Sequence, residues 1–301
     1  MAKIAPLSGF PELLPADRMV ERAIIASLSA TFELHGFANI ETRVVEPLDR
    51  LAKGGEIDKE IYVLKRLQAD RPDQAATDRS GADQAGDAAL GMHFDLTVPF
   101  ARYVLEHAGH LEFPFRRYQI QPAWRGERPQ EGRYRQFTQA DVDIVGRDTL
   151  AFHHDIEVMR VMVEALAGLP LPPISFQFNN RKLIWGFYRG IGVPDITAAV
   201  RIIDKLDKLP AATVIEQLVA GAGVTEEQAQ RCVELASIRV ADDSLAERVL
   251  ALGVRDELLD EGLAELTAVV AGCREGATGN VTVEANLRIA RGLDYYTGTV
   301  V

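Results

Sequence analysis

The stretch that decides the fold runs from Arg116 to Asp143 and reads RRYQIQPAWRGERPQEGRYRQFTQADVD. Its two ends belong to segments 113–124 and 137–145, in which aromatic and β-branched residues recur. The segment between them, 126–135, is polar and contains glycine. Two strand-like segments around such a loop predict an antiparallel β-hairpin with a long tip.

The same stretch is a basic region in an acidic chain. Between 116 and 135 the only acidic residues are Glu127 and Glu131, whereas six residues are arginine: Arg116, Arg117, Arg125, Arg128, Arg133 and Arg135. Guanidinium groups match phosphate oxygens in pairs, and Trp124 and Phe137 beside them offer rings on which a nucleobase can stack. A polyphosphate clamp and a solvated hairpin tip with surface ion pairs both fit this composition.

The sequence before the hairpin predicts alternating helices and strands. Apolar residues at intervals of three and four predict a helix over 15–35, with Pro15 in its first turn and Gly36 after its end. The run 69–89 has no large apolar residue and is expected to form a loop. The other expected elements are strands at 37–45 and 60–67, an extended segment at 92–98 and a helix at 99–107.

The sequence after the hairpin is mainly helical. The expected elements are a helix at 148–168 with Asp148 or Thr149 as its N-cap, a strand at 174–179, a short helix at 181–189, successive helices over 196–275, and strand again from 281 to 300. This order predicts an α+β fold, an antiparallel sheet flanked by helices with a helical insertion. The predicted domains are a core at 1–195, the insertion at 196–275, with 8 basic and 15 acidic residues, and a return to the core at 276–301.

Composition narrows the class of protein. The chain has 301 residues and a net charge of −11, which argues against a general nucleic-acid-binding surface. Two cysteines are too few for a disulfide framework or a cysteine zinc site, and no histidine spacing indicates a metal centre. No apolar run is long enough for a membrane span, and Met1 to Gly9 has no signal-peptide core. A cytoplasmic protein is therefore expected.

Two further segments carry candidate chemistry. Residues 288–298 read RIARGLDYYTG, in which an arginine and two tyrosine hydroxyls beside apolar residues suit a small polar substrate. From the residues alone a packed core strand fits that segment somewhat better, since buried aromatic residues usually serve packing. Asp95 and Thr97 share one strand face, where the carboxylate suits an ammonium group or caps the helix that follows.

Three segments together resemble the histidyl-tRNA synthetases, which are class II aminoacyl-tRNA synthetases. GFPELLP at 9–15, with the helix and the strand that end at Pro47, resembles motif 1. WRGERPQ at 124–130, followed by GRYRQF at 132–137, resembles motif 2 in its histidyl form. RGLDYY at 291–296 resembles the histidine-specific signature, and the resemblance covers nearly the whole chain.

The resemblance implies a six-stranded antiparallel sheet flanked by helices, and a homodimer whose interface is at motif 1. It implies a ligase that activates L-histidine with ATP, supplied with Mg²⁺, to histidyl-adenylate and then transfers the histidyl group to tRNA(His). No tightly bound cofactor is implied. The family continues with a motif 3 arginine and an anticodon-binding domain. The end at Val301, inside an expected strand, therefore indicates a fragment, and the ATP site of such a fragment would lack one wall.

The resemblance also implies roles for single residues. Arg125 and Arg291 would neutralise the α-phosphate as catalytic residues. The implied ATP contacts are Arg125, Glu127 to the adenine amino group, Arg133 to the distal phosphates, and Phe137 stacked on the adenine. The implied histidine contacts are Asp95, Thr97 and Gln139 near the ammonium and carboxylate, Asp143 and Tyr296 at the imidazole, and Tyr295 and Arg291 close by.

Two other hypotheses compete with the ligase. The first is a synthetase-like, histidine-sensing regulatory subunit of ATP phosphoribosyltransferase, a class of paralogue that loses the aminoacylation arginines. Arg125, Glu127 and Arg291 are all present here, which favours the ligase. The second is a fragment that folds and dimerises without catalysing.

Overall fold

The computed structural model describes residues 5–52, 60–65, 89–289 and 296–301. These residues fall into two units, Met1–Leu150 and Ala151–Val301, each with dense internal contacts. Almost all of the loop expected at 69–89 lies outside the described residues, and so does the segment 290–295. No described helix is long and apolar enough to cross a membrane.

The first unit contains the predicted hairpin. Its elements are α1 (Pro15–Leu34), β1 (Ala38–Asn39), β2 (Val45–Pro47), α2 (Leu48–Leu51), β3 (Val63–Leu64), β4 (Leu90–Met92), α3 (Thr97–His107), β5 (Phe115–Trp124) and β6 (Gln136–Val145). β5 and β6 pair antiparallel along their full lengths, and β1 adds to β5 in parallel. β2, β4 and β3 form a second, antiparallel sheet.

The second unit is mostly helical. Its elements are α4 (His153–Ala167), β7 (Ile174–Asn180), α5 (Arg181–Gly190), α6 (Ile196–Ile203) with a 3₁₀ turn at Asp204–Asp207, α7 (Ala211–Ala222), α8 (Glu226–Ala236), β8 (Arg239–Val240), α9 (Leu245–Ala251), α10 (Glu257–Gly276), β9 (Val281–Asn286) and β10 (Thr299–Val300). The four strands lie in the order β10-β7-β9-β8, with β7 and β9 parallel. Helices flanking mainly antiparallel sheets confirm the α+β prediction, although the described strands lie in three sheets rather than in one of six strands.

The strand expected at 37–45 is divided into β1 and β2, and Thr42 explains the break. The amide side chain of Gln121 forms two hydrogen bonds with the backbone of this buried residue. Thr42 N donates to Gln121 Oε1 at 3.4 Å, and Gln121 Nε2 donates to Thr42 O at 2.8 Å. An amide side chain thus replaces the neighbouring strand at this point, so the ladder cannot run through it.

The start predicted for the helix after the hairpin is wrong. Asp148 has a φ of +65°, in the left-handed region, which is incompatible with the cap and first turn of a right-handed helix. α4 begins instead at His153, after Phe152, which makes no side-chain cap. The short helix predicted at 181–189 is confirmed as α5, and Asn180 caps it, since its Oδ1 accepts from the backbone N–H groups of Lys182 and Leu183.

Helix α10 organises the core of the second unit. It packs on α4, α5, β7 and β9, and two glycines allow the closest approach. A Cβ on Gly262 would lie 2.2 Å from Leu183 N, and one on Gly186 would lie 2.2 Å from Leu259 N. α10 therefore shares one hydrophobic core with elements on both sides of the predicted boundary at 195, and the boundaries of the insertion remain a prediction.

Candidate active site

The candidate site lies on one face of the β5–β6 hairpin. Alternate residues of a strand point to the same face, and the cross-strand register places these residues opposite each other in the pairs Arg117–Asp143, Gln119–Asp141, Gln121–Gln139 and Ala123–Phe137. Arg117 and Gln119 are 0% exposed and Gln121 is 3% exposed. Buried faces of sheets are usually apolar, so a buried polar face indicates a functional site.

The opposite face of the hairpin packs on helix α1, which fixes the position of β5. Tyr118, next to Arg117, packs its ring 5.4 Å from that of Phe32 in α1, and its hydroxyl donates to Glu33 Oε1 at 2.6 Å. Arg116 donates to His35 O at 2.8 Å. Helix α1 and the turn that follows it therefore contact the face of β5 that carries Arg116 and Tyr118. The polar face, on the other side, does not take part in this packing.

The segment after β4 brings Asp95 to the same place. Backbone and side-chain bonds join this segment to the end of β5: Trp124 N donates to His93 O at 3.2 Å, His93 Nε2 to Pro122 O at 2.7 Å, and Arg125 Nε to Phe94 O at 3.0 Å. Asp95 Oδ1 also accepts from Val98 N at 3.1 Å, at the start of α3. Asp95 thus bonds to the first turn of α3, whose N-cap residue is Leu96, and it also lies within electrostatic range of Asp141 and Arg125. The strand face predicted for Asp95 and Thr97 is wrong, because α3 already begins at Thr97.

Asp95, Asp141 and Asp143 interact electrostatically, and the pKa of each is raised, chiefly because burial disfavours the charged form. Asp141 raises the pKa values of Asp95 and Asp143 further, since like charges repel. Arg117 opposes the increase at Asp141 and Asp143, and Arg125 opposes it at Asp95 and Asp141. Three carboxylates facing two arginines make a pocket that suits a ligand with a positive group.

The two arginines occupy different ends of this face. Arg117 Nη2 lies 2.6 Å from Asp143 Oδ2, and its guanidinium lies 4.0 Å from the Phe100 ring centroid. The guanidinium of Arg125 lies 4.9 Å from the Phe137 ring centroid, directly before the hairpin loop. Arg117 is therefore buried against a carboxylate. Arg125 lies where the hairpin loop begins, and its position suits an anionic ligand.

Several buried polar atoms on this face have no hydrogen-bond partner within the described part of the chain. They are Gln139 Oε1, Asp143 Oδ2, and Nε and Nη2 of Arg117. Arg117 Nη2 and Asp143 Oδ2 nevertheless lie 2.6 Å apart, so these two atoms are an ion pair with each other. Gln139 Nε2 donates to both oxygens of Asp141, at 3.0 and 3.1 Å, which leaves its Oε1 as an acceptor. Buried unsatisfied acceptors beside carboxylates suit N–H donors of a ligand.

The hairpin loop pairs two of the predicted ATP contacts with each other. Arg133 forms an ion pair with Glu127. The backbone N–H groups of Arg135 and Gln136 donate to Gly9 O, at 2.8 and 3.0 Å, which docks the N-terminal segment onto the loop. For Glu127 and Arg133 to contact separate parts of one nucleotide, this ion pair would have to open.

The other predicted residues are placed as follows. Thr97 is the first residue of α3. Tyr296, in the second unit, is 45% exposed. Arg291 and Tyr295 lie outside the described residues. The structure thus brings together Asp95, Arg125, Phe137, Gln139 and Asp143.

Four residues of this face are absent from the sequence-based site: Arg117, Gln119, Gln121 and Asp141. A period-two signal was available, since Arg117, Gln119 and Gln121 share one face of a predicted strand and Gln139, Asp141 and Asp143 share one face of the next. Among the described residues, no group of three or more histidine, cysteine or acidic side chains is arranged to hold a metal ion.

Comparison with known proteins agrees with the motifs. The profile of the family described as histidyl-tRNA synthetase matches residues 9–301. The chain belongs to this family. It is 55% identical to the histidine–tRNA ligase of Cutibacterium acnes over 304 aligned positions, which cover 100% of this chain and 64% of that protein.

The solved structures agree on the fold. The histidyl-tRNA synthetase of Nostoc sp. PCC 7120 aligns with a TM-score of 0.80 and 30% identity, over 99% of this chain and 64% of the other. A Bacillus halodurans protein titled ATP phosphoribosyltransferase regulatory subunit/histidyl-tRNA synthetase aligns with a TM-score of 0.77, covering 98% of this chain and 71% of that one. At 20% identity, the latter shows the fold alone. The chain spans a little under two thirds of the length of the ligase from Cutibacterium acnes.

Proposed function

We propose that this chain is the adenylate-forming part of a cytoplasmic histidine–tRNA ligase. It would bind ATP, with Mg²⁺ as part of that substrate, and L-histidine, and join them as histidyl-adenylate, before transfer of the histidyl group to tRNA(His). The observation that carries this proposal is the polar face of the β5–β6 hairpin, which carries Gln139 and Asp143, lies close to Asp95 and has Arg117 and Arg125 at its two ends.

This face suits histidine in particular. The ligand carries an ammonium group and an imidazole, and both present N–H donors. Asp95 and the free Gln139 Oε1 are the acceptors for the ammonium, with Thr97 beside them, and Asp143 is the acceptor for an imidazole N–H. Such a site strongly disfavours an amino acid with an apolar side chain, because the buried acceptors of the site would then have no donor to pair with.

The reaction needs charge neutralisation more than a protein base. An oxygen of the histidine carboxylate attacks the α-phosphorus of ATP, the bond from that phosphorus to the bridging oxygen of pyrophosphate breaks, and pyrophosphate leaves with the electron pair. Arg125 neutralises the charge that accumulates on the α-phosphate oxygens. Arg291 keeps the matching role that the resemblance implies.

The remaining ATP contacts follow the hairpin loop. Glu127 would accept from the adenine amino group, Phe137 would stack on the adenine, and Arg133 would hold the distal phosphates. Glu127 and Arg133 are an ion pair in the structure, so ATP would bind in exchange for that contact. Tyr295 and Tyr296 keep the histidine-binding roles given by the resemblance.

The partners proposed are a tRNA and a second copy of the chain. The histidyl group is accepted by the terminal ribose of tRNA(His), whose hydroxyl attacks the acyl carbon while AMP leaves. Helix α1, in the region that resembles motif 1, exposes apolar side chains, with Met19 73% and Val20 60% exposed. A second copy covering this surface would bury them.

The test is histidine-dependent exchange of pyrophosphate into ATP, measured on this chain and on a version extended to the length of its relatives. We expect exchange in the extended protein, and its loss by at least about 100-fold in the Arg125→Ala variant, as for other preorganised groups that stabilise transition-state charge. Histidine binding should change far less, because Arg125 acts on the phosphate.

Two outcomes would contradict the ligase. If both versions are inactive but bind histidine, and Arg125→Ala leaves ATP binding unaltered, the histidine-sensing regulatory subunit is favoured. If neither version binds histidine, the assignment of the polar face is wrong. Exchange only in the extended version would support the ligase and show that this chain needs residues beyond Val301.

A further inference from the structure

A continuous row of buried polar side chains runs along β5. Gln119 Oε1 accepts from Arg117 Nη1 at 3.3 Å, and Gln119 Nε2 donates to Gln121 Oε1 at 2.5 Å and to Thr42 Oγ1 at 2.8 Å. Gln121 is anchored in turn on the backbone of Thr42. One end of the row is therefore fixed to the main chain between β1 and β2, and the other end is the guanidinium of Arg117.

This row ends on the carboxylate assigned to the imidazole. Arg117 Nη2 reaches Asp143 Oδ2 at 2.6 Å, and the Phe100 ring supports the guanidinium plane from one side at 4.0 Å. Burying a charged pair rarely stabilises a protein compared with apolar residues of the same size. A buried arginine that is bonded to Gln119 and lies over a phenylalanine ring is therefore costly for stability alone, and a role at Asp143 accounts for its presence.

We propose that Arg117 is a positioning residue for histidine recognition, which holds Asp143 ionised and in one orientation through the Gln119–Gln121–Thr42 row. This inference rests on the proposed function and deepens it, because it names the group that sets specificity at the imidazole end of the pocket. In this proposal Arg117 acts through Asp143 and does not itself contact the histidine.

The ionised state of Asp143 decides which ligand the pocket accepts. An ionised carboxylate only accepts hydrogen bonds, whereas a protonated one also donates. Every other charged group that influences Asp143 is acidic, namely Asp95 and Asp141, and burial acts in the same direction, so Arg117 alone favours the anion among the described residues. Arg117 contacts Asp143 Oδ2, which is itself buried, whereas the Asp143 side chain as a whole is 35% exposed. The other carboxylate oxygen is therefore the one placed to accept from an imidazole N–H.

The test measures L-histidine binding by calorimetry as a function of pH, for the wild type and for Arg117→Met and Arg117→Lys. We expect Arg117→Met to bind histidine at least about tenfold more weakly at neutral pH, since one partner of a buried charge pair is lost. Its affinity should also start to fall at a higher pH on acidification than in the wild type, because Asp143 loses the cation that lowers its pKa. Arg117→Lys, which keeps the charge, should restore most of the affinity and the wild-type pH profile.

Arg116→Met is the matched control. Arg116 is adjacent on the same strand and also lies over a phenylalanine ring, 4.6 Å from the centroid of Phe37, but it bonds to His35 O on the other face. A general weakening of β5 would affect both variants. We expect histidine affinity and its pH profile to change only with Arg117→Met.

A second readout addresses specificity. Thienylalanine has a five-membered ring without an N–H group. We expect Arg117→Met to lose part of the discrimination between histidine and thienylalanine that the wild type shows, because the acceptor for that N–H is no longer fixed. Unchanged discrimination in a folded Arg117→Met protein with wild-type histidine affinity would overturn the proposal.

The double variant Arg117→Met/Asp143→Asn has no unpaired buried charge, so it remains informative if Arg117→Met does not fold. If Arg117 acts through Asp143, the double variant binds histidine about as well as Asp143→Asn alone. A further loss in the double variant would show that Arg117 acts by another route and would refute the proposal. A wild type that binds no histidine at all would refute the proposed function itself, whereas binding that is insensitive to Arg117 refutes only this inference.

Discussion

At the scale of single residues, the carboxylate of Asp141 shows that charged groups suited to a cationic ligand lower the stability of the ligand-free fold. Burial raises the pKa of Asp141, as it does those of Asp95 and Asp143, above the values in the unfolded chain, and the charge of Asp141 adds to the increase at the other two. A folded state that holds the proton more tightly loses stability as the pH rises through the folded pKa. At neutral pH, therefore, these charged groups oppose folding, and a cationic ligand relieves that penalty.

Asp141→Asn should accordingly raise the melting temperature of the ligand-free protein at pH 7 and lower its affinity for histidine. The asparagine Oδ1 can still accept from Gln139 Nε2, while the negative charge near the proposed ammonium site is lost. We expect the affinity to fall at least about tenfold, which corresponds to about 1.4 kcal/mol. Thermal unfolding measured from acidic pH to pH 8 should show a gain that is small below the ordinary carboxyl pKa and larger at neutral pH, because the penalty accumulates as the pH rises from the unfolded pKa through the raised, folded one.

Asp256→Asn is the control with the opposite sign. Hydrogen bonds from Arg189 lower the pKa of Asp256, and its Oδ1 caps α10. Its stabilising contribution is therefore present above the unfolded pKa and is lost as the pH falls through the folded pKa. We expect this substitution to lower the melting temperature at pH 7. An Asp141→Asn protein that melts below the wild type at pH 7 would contradict the electrostatic account of the pocket.

At the scale of elements, the sequence predicted the hairpin, but the polar face formed by alternate residues of its two strands was not predicted. Strand patterns at 113–124 and 137–145 closely match β5 and β6, because aromatic and β-branched residues fill this pleated surface. Arg125, Gln139, Asp143 and Asp95 were assigned to the site through the family resemblance, and their roles stay predictions. Arg117 and Asp141 lie outside those motif roles, and only the cross-strand register shows that they share the same face.

Other elements depended on information that local sequence does not contain. The break between β1 and β2 depends on Gln121, which lies 79 positions from Thr42. The late start of α4 depends on a left-handed residue at Asp148, and Asp and Asn adopt that conformation only in particular contexts. Short-range patterns therefore predict which elements exist, whereas contacts between distant segments fix where they end.

The crossing of α5 and α10 is the element-scale feature that is easiest to break. Gly262→Ala would place a methyl group 2.2 Å from Leu183 N and 2.8 Å from Lys182 C, both backbone atoms that cannot rotate away. We expect the free energy of unfolding to fall by about 1–3 kcal/mol or more, as for other overpacked cores. Thermal or urea unfolding would measure the loss.

Gly276→Ala is the control for this substitution. Gly276 is the last residue of α10, and a Cβ there would meet no atom within 4 Å. Alanine favours a helix more than glycine does, so this variant should be as stable as the wild type or slightly more stable. Equal stability of Gly262→Ala and the wild type would mean that the two helices can separate without cost, and the close crossing would then be unimportant.

At the scale of the whole molecule, charge and exposed apolar surface point to different partners. The chain carries a net charge of −11, and segment 196–275 contributes 8 basic and 15 acidic residues. Phosphate-backbone binding needs a basic surface, so this segment by itself does not suit a tRNA. Helix α1, in contrast, exposes Met19, Val20 and Leu34, with Leu34 79% exposed, and such side chains suit burial against another protein surface.

We therefore expect the chain to form a dimer that depends on α1. In sedimentation velocity, the wild type should sediment as a dimer, and the Met19→Glu/Val20→Glu variant as a monomer, because two carboxylates would have to be buried in the interface. Leu250→Glu, at a 41% exposed apolar position of α9, makes the same chemical change elsewhere and should leave the dimer intact. A wild type that stays monomeric at tens of micromolar, or a double variant that stays dimeric, would show that α1 is not the interface. If the monomeric variant still binds histidine with wild-type affinity, the polar face of the hairpin is complete within one copy of the chain.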